Sequence, residues 1–428
     1  MKNLTKNNID RRDFLKTMSA VGLGSVLGAC ESKQDNEPND IGPNAPTTAK
    51  QIEQPQVPKR KLGKTGVEVS CLALGALFNL VENQLILEKC FQAGVHLWDT
   101  APDYAGENSE RGIGKFISRH PDARKKLFLV TKASDAVTVE DVEKALQESL
   151  KRMNTNYIDL YYIMDRMAGP RYVGHGLSDP AKLTDDLRQW VDSAKKRKLI
   201  RFFGFSTHKN MPKCLAAAAK IGWIDAAMTT YSYRIMQDTE LQDAIEACHH
   251  AGIGLIAMKT QGRPQEKIET EEDKKLAGHF LAKGFTEGQA KIKAVLQDKR
   301  ISSACVGMQD VSILNQNVAA VLDKTRLTKQ DMEVFNKYAH ATCSRFCAGC
   351  AHICDTALPD IPYISDIMRY LMYYNSYGDR DRARQLFAQI PSRIKNRLLN
   401  IDYSSAEAHC PQQLPIGKLV VQAVNKLA

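Results

Sequence analysis

The chain lacks a basic stripe interleaved with aromatic residues, although its formal net charge is +10. Residues 1–29 carry +3 of that charge, and the remainder is spread along the chain. A nucleic-acid surface gathers its cations on one face, so this distribution excludes that class of partner and leaves a solvated basic surface. The apolar run near the N-terminus, ending at Cys30, is too short to span a bilayer. With 43% hydrophobic and 25% charged residues, neither a membrane bundle nor general disorder fits. No glycine-rich turn follows the first strand-like run, which weighs against an open dinucleotide-binding sheet. Gly22, Gly24 and Gly28 imitate such a turn, but no strand precedes them and their spacing is wrong. What remains, over 428 residues, is two or three domains or one large barrel with additions.

The N-terminus reads as an address. Arg11-Arg12, followed by Phe14-Leu15-Lys16 and a short apolar run, has signal-peptide anatomy. The paired arginines resemble the twin-arginine export signal, and Leu27–Cys30 ("LGAC") resembles a lipoprotein box whose Cys30 becomes a lipidated N-terminus. The expectation is export by the twin-arginine route to the periplasmic side, with a lipid on Cys30 as the membrane anchor. Residues 31–57, rich in Asn, Pro, Gln and Glu, cannot bury enough apolar surface to order themselves and read as a flexible linker.

From residue 58 the pattern changes to short apolar runs alternating with helical periodicity. Eight runs begin with residues 71–75 and 96–100 and end with 252–259 and 302–307. Between them lie helical segments such as Val139–Met153 and Val311–Leu322. That order predicts an α/β fold, a (β/α)8 TIM barrel over residues 58–325, with its active site at the C-terminal ends of the strands. Residues 326–428 are expected to form a separate, mostly helical extension.

Polar residues stand at those strand ends. The second run ends in Asp99, with Tyr104 five residues on, and the third ends in Lys132. A lysine ammonium lowers the pKa of a nearby tyrosine and makes it a usable proton donor to a carbonyl, while the aspartate holds the lysine. The same segments, "DTAPDY" (99–104), "SERGIGK" (109–115), "VTK" (130–132), "IRFFGFSTH" (200–208) and "VGMQDVSILNQN" (306–317), resemble the aldo/keto reductase family. The resemblance implies a barrel that binds NADP or NAD without a Rossmann motif and acts on a small carbonyl or alcohol substrate. It implies Tyr104 as acid with Asp99 and Lys132 in support. It also places Ser206 and His208 at the nicotinamide carboxamide, Gly307 and Met308 at the adenosine phosphate, and Asn317 at adenine. Gln309 stands where many members carry an arginine for the 2′-phosphate, which leaves NADP against NAD open. Met164 stands where the family's catalytic histidine follows "DLYY". A thioether cannot donate a proton, so two readings stand. Either Met164 fills the pocket and reductase activity is lost or slow, or Tyr104 and Lys132 work without the histidine. The first would make the chain a degenerate barrel that binds a ligand or partner.

Four cysteines fall in the segment 343–354, "CSRFCAGCAHIC", with spacing C-x3-C-x2-C-x3-C. Disulfides among such near neighbours strain geometry, and zinc sites commonly set two short pairs across a longer gap. One compact iron–sulfur centre fits best, with disulfides and zinc as alternatives. The C-terminal region also resembles the ferredoxin-like extension of one aldo/keto reductase branch, on "LPDIPYISDIM" (358–368) and "AEAHCPQQLPI" (406–416). That resemblance implies one [4Fe-4S] cluster on Cys343, Cys347, Cys350 and Cys354, with Cys410 able to replace Cys354, and leaves room for an electron-transfer partner. The remaining cysteines, such as Cys71, Cys90 and Cys305, read as packed small hydrophobes.

Overall fold

The computed structural model describes residues 55–133, 136, 138–163, 177–262 and 269–428, all within one unit, Gln54–Ala428. The segment read as an export signal, Cys30 and Met164 lie outside the described residues.

Eight parallel strands close into a barrel: β3 (Leu72–Gly75), β4 (Leu97–Asp99), β5 (Phe128–Ala133), β6 (Ile158–Ile163), β7 (Ile200–Thr207), β8 (Ala226–Thr230), β9 (Gly254–Met258) and β10 (Ile301–Gly307). Each pairs with its neighbour in sequence, and β10 closes the ring on β3. Every residue of β5, β6, β8 and β9 is buried. A strand covered on one face by helices and filled on the other has no wet side, so it reads as a continuous apolar run. That is why the strands were visible in the sequence to within about two residues at each end.

An antiparallel hairpin, β1 (Lys59–Lys61) and β2 (Glu68–Ser70), covers the N-terminal end of the barrel. Its Leu62 and Val69 pack with Ala73, Leu97, Val130 and Tyr162 of the interior. Gly63 makes the approach close enough. Its φ is +51°, and a Cβ there would lie 2.2 Å from the Gly252 carbonyl oxygen. Val57, the last residue of the segment read as a linker, is buried and donates its N–H to Ala93 at 2.9 Å.

Beyond the barrel the chain is helical, from Lys329–Ala341 through Ile364–Met372 and Arg380–Ala388 to Ile416–Leu427. Ile364, Ile367, Leu371, Phe387, Leu419 and Val420 form a core of its own. Ion pairs fasten it to the barrel mouth. Lys209, just after β7, donates to Asp366 at 2.8 Å, and Arg369 donates to the other carboxylate oxygen at 2.6 Å. All three residues are buried. Removing one member of such a buried set leaves a charge unpaired, so the attachment is specific. No helix among the described residues is long and apolar enough to cross a membrane.

Candidate active site

The side chains at the strand ends converge. Lys132 on β5 donates to Asp99 Oδ1 at 2.8 Å and to the Thr100 carbonyl at 2.7 Å. Asp99 and Lys132 are 4% and 2% exposed, so this pair is withdrawn from water. Adjacent parallel strands account for it, since Asp99 sits opposite Val130 and Lys132 follows two residues later on the same face. Tyr104, on the loop after β4, presents its ring with the centroid 4.8 Å from Lys132 Nζ.

The helix Asn108–Arg119 anchors this loop. Ser109 Oγ donates to the Ala76 carbonyl and lies 2.7 Å from Thr100 Oγ1. Buried Glu110 accepts from Thr131 at 2.6 Å and from Arg152 at 2.5 Å. The "SER" of the sequence motif therefore locks the backbone that carries Tyr104.

Electrostatics correct one expectation. Burial pushes the Tyr104 phenol above its ordinary pKa, and the lowering by Lys132 and then Arg382 does not overcome it. Asp99 is likewise raised by burial, against the pull of Lys132. Burial opposes the Lys132 ammonium, yet Asp99 and Tyr104 carry its pKa above the usual lysine value. At neutral pH the site thus holds a protonated phenol beside a charged lysine, an arrangement suited to giving a proton away.

A cavity of about 350 Å³ opens above these groups. Ser206, His208 and Gly307 line it. Ser206 Oγ is buried without a hydrogen-bond partner, as is Thr260 Oγ1 just after β9. Unsatisfied hydroxyls in a cavity wall fit a polar ligand such as a carboxamide or phosphate. The Met308 side chain points elsewhere, fully buried with its sulfur 4.0 Å from Cys90 Sγ. Asn317 is also buried and reaches the site only through the Gly307 carbonyl, to which it donates at 3.3 Å.

Sequence reasoning passed over several cavity residues. Lys259, following β9, adopts φ +55° and lies half-buried, with burial and the Arg369 cation pushing its pKa down to about 7. Its position after "GIGLIAM" was the available signal. Tyr373, Tyr377, Asp379 and Arg382 come from the extension, and no spacing rule linked them to a strand end some 240 to 300 residues earlier.

The expected ligands Cys343, Cys347, Cys350 and Cys354 do not all line one pocket. Cys347, Cys350, Cys354 and Cys410 line one pocket with Ile364, Met368, Leu414 and Ile416. After burial, the charges of Cys347, Cys354 and Cys410 are what raise the Cys350 pKa. Cys343 does not line this pocket. Phe346, 2% exposed and a member of the barrel's core cluster, lies between Cys343 and Cys347 in the chain. Gly349 brings the loop against the barrel, its φ of +82° and a would-be Cβ 2.2 Å from the His208 carbonyl excluding a side chain. His208 and Lys259 border both the main cavity and a small hollow beside Cys347. No described cysteine is disulfide-bonded, and among the described residues no group of His, Cys, Asp or Glu is arranged to hold a metal ion.

Several known proteins are similar to this chain. L-galactose dehydrogenase of Arabidopsis thaliana is 26% identical over 290 residues, covering 62% of this chain and 88% of that protein. Aldo-keto reductase yakc [NADP(+)] of Schizosaccharomyces pombe is 26% identical over 225 residues, 48% of this chain and 62% of that one. A solved putative aldo-keto reductase from Pseudomonas aeruginosa aligns with TM-score 0.49 and 20% identity over 64% of this chain and all of its own. The family model described as the aldo/keto reductase family matches residues 77–339, from the loop after β3 to the first helix beyond the barrel. With more than half of its length accounted for in this way, the chain belongs to the aldo/keto reductase family.

Proposed function

We propose that this oxidoreductase interconverts a small carbonyl compound and its alcohol, with Tyr104 as the proton donor. The observation that carries the reading is the buried Lys132–Asp99 pair held against the face of Tyr104 at the cavity floor. A bound reduced nicotinamide would supply the hydride to the carbonyl carbon. Tyr104 gives its phenolic proton to the carbonyl oxygen as the C=O π bond breaks, and the alcohol leaves. Lys132 stays charged throughout and faces the phenolate that forms, while Asp99 keeps Lys132 in place. Water then returns a proton to Tyr104. Ser206 and Thr260 offer the hydroxyls for the cofactor's polar groups, and His208 and Gly307 complete that wall. NADP is the first cofactor to test, because the name of the fission-yeast relative specifies it. Tyr104→Phe should lower NADPH-dependent carbonyl reduction by about 10²–10⁴-fold. An unchanged rate would remove Tyr104 from the mechanism.

We further propose one [4Fe-4S] cluster on Cys347, Cys350, Cys354 and Cys410. Four thiols around one apolar pocket support it, and a four-iron body holds its ligands farther apart than one ion does. Iron analysis and the visible spectrum of protein purified without oxygen test it, and a colourless, iron-free chain counts against it. Residues 10–30 support export and lipid attachment at Cys30. Labelled fatty acid incorporated by the wild type and not by Cys30→Ala is the expected result, and equal incorporation would refute it.

A further inference from the structure

Tyr104 has a second cation beside it, and this one comes from outside the barrel. Arg382, on the helix Arg380–Ala388, places its guanidinium carbon 5.0 Å from the Tyr104 ring centroid. Lys132 Nζ is 4.8 Å from the same centroid. Arg382 is 9% exposed and donates to Asp103 Oδ2 at 2.6 Å and to the Asp103 carbonyl at 3.4 Å. Its own helix follows a π-helical turn, Tyr373–Tyr377, closed by Gly378 at φ +75°. That wide turn sets Tyr373 under the guanidinium, 5.7 Å from its ring centroid.

We propose that the C-terminal extension completes the active site through Arg382, a positioning residue that clamps the Tyr104 loop by Asp103 and favours the phenolate form of Tyr104. The inference rests on the reading of Tyr104 as proton donor. Asp103 does not cancel the effect. Its side chain is 29% exposed, whereas that of Arg382 is 10% exposed, so water screens the anion more than the cation. The titratable barrel groups that line the cavity with Tyr104 are Asp99, Lys132, Cys305, His208 and Lys259. From the extension come Tyr373, Tyr377, Asp379 and Arg382. Arg382 is the one arginine among them. Lys132 is committed to Asp99, and Lys259 is neighbour to Arg369 and Cys347 in the electrostatics of the site. The same contact makes the position of the extension matter to the chemistry in the barrel.

The test reads the phenol directly. A fluorinated tyrosine, whose phenol titrates at lower pH, is placed at position 104 of the full-length protein and followed by fluorine NMR. Arg382→Met should raise its titration midpoint by about one pH unit, and Arg382→Lys by less. A midpoint that stays within a few tenths of a unit in folded Arg382→Met overturns the proposal. Should that variant not fold, Asp103→Asn tests the same field from the other side. It unmasks Arg382 and should lower the midpoint, and a midpoint that does not fall overturns the proposal. Wild-type turnover with NADPH is measured in parallel. A shifted midpoint without turnover sinks the carbonyl-reductase reading and leaves the coupling standing. Turnover with an unshifted midpoint sinks the coupling alone.

Discussion

Replacing Lys132 with Met removes the ammonium from a site where its partner cannot reach water. Asp99 is 4% exposed, and it would lose the hydrogen bond that Lys132 donates. Breaking a buried pair from one side costs about 3–5 kcal/mol, because the remaining charge stays desolvated. The loss has a pH signature. Burial already raises the Asp99 pKa, and without Lys132 it rises further. A carboxylate with a raised folded pKa binds its proton more readily folded than unfolded, so stability is greatest at low pH and falls as pH rises through the folded value. Urea unfolding should therefore show Lys132→Met strongly destabilised near neutral pH and less so at about pH 5. Adding Asp99→Asn should recover most of the loss, because no charge is left unpaired. A cost under about 1 kcal/mol at neutral pH, or one independent of pH, would refute the reasoning.

Further expectations follow from the extension. Cys343→Ser should keep close to the wild-type iron content, whereas Cys410→Ser should lose most of it. The reverse pattern would restore Cys343 to the ligand set. Gly349→Ala forces a Cβ against the His208 carbonyl at positive φ, and should destabilise the chain by about 2 kcal/mol, measured by chemical denaturation. No measurable loss would mean that the cysteine loop does not sit against the barrel in this way. Asp366→Asn leaves Lys209 and Arg369 buried without their shared carboxylate, at about 3–5 kcal/mol. Limited proteolysis should then cut between barrel and extension faster than in the wild type. Equal cutting rates would count against this attachment.

The barrel was legible because its signals are local. Strand runs such as 127–132 and the helix Val139–Arg152 carry their own periodicity, and that helix also has a capping box on Thr138 and Asp141. Asp99, Tyr104 and Lys132 stood out because strand ends in such a barrel share one rim, so neighbouring strands bring them together without further information. Lys132 lowers the Tyr104 pKa, as its place on the rim suggested, but the net direction is upward for a reason spacing does not carry. The outcome depends on how much water the fold removes, and burial outweighed the charge beside it.

Cys410 and Arg382 show where local reading ends. The spacing of Cys347, Cys350 and Cys354 keeps them close together, yet it does not say that Cys410 shares their pocket while Cys343 does not line it. That depends on the packing that brings residue 410 back beside Cys347, Cys350 and Cys354. Arg382 reaches Tyr104 across 278 positions because a helix docks on the barrel mouth through Asp103. Periodicity and strand order are properties of short segments and can be read along the chain. Which distant side chain meets a phenol or a thiol is settled by how the folded elements pack, and only the assembled structure contains it.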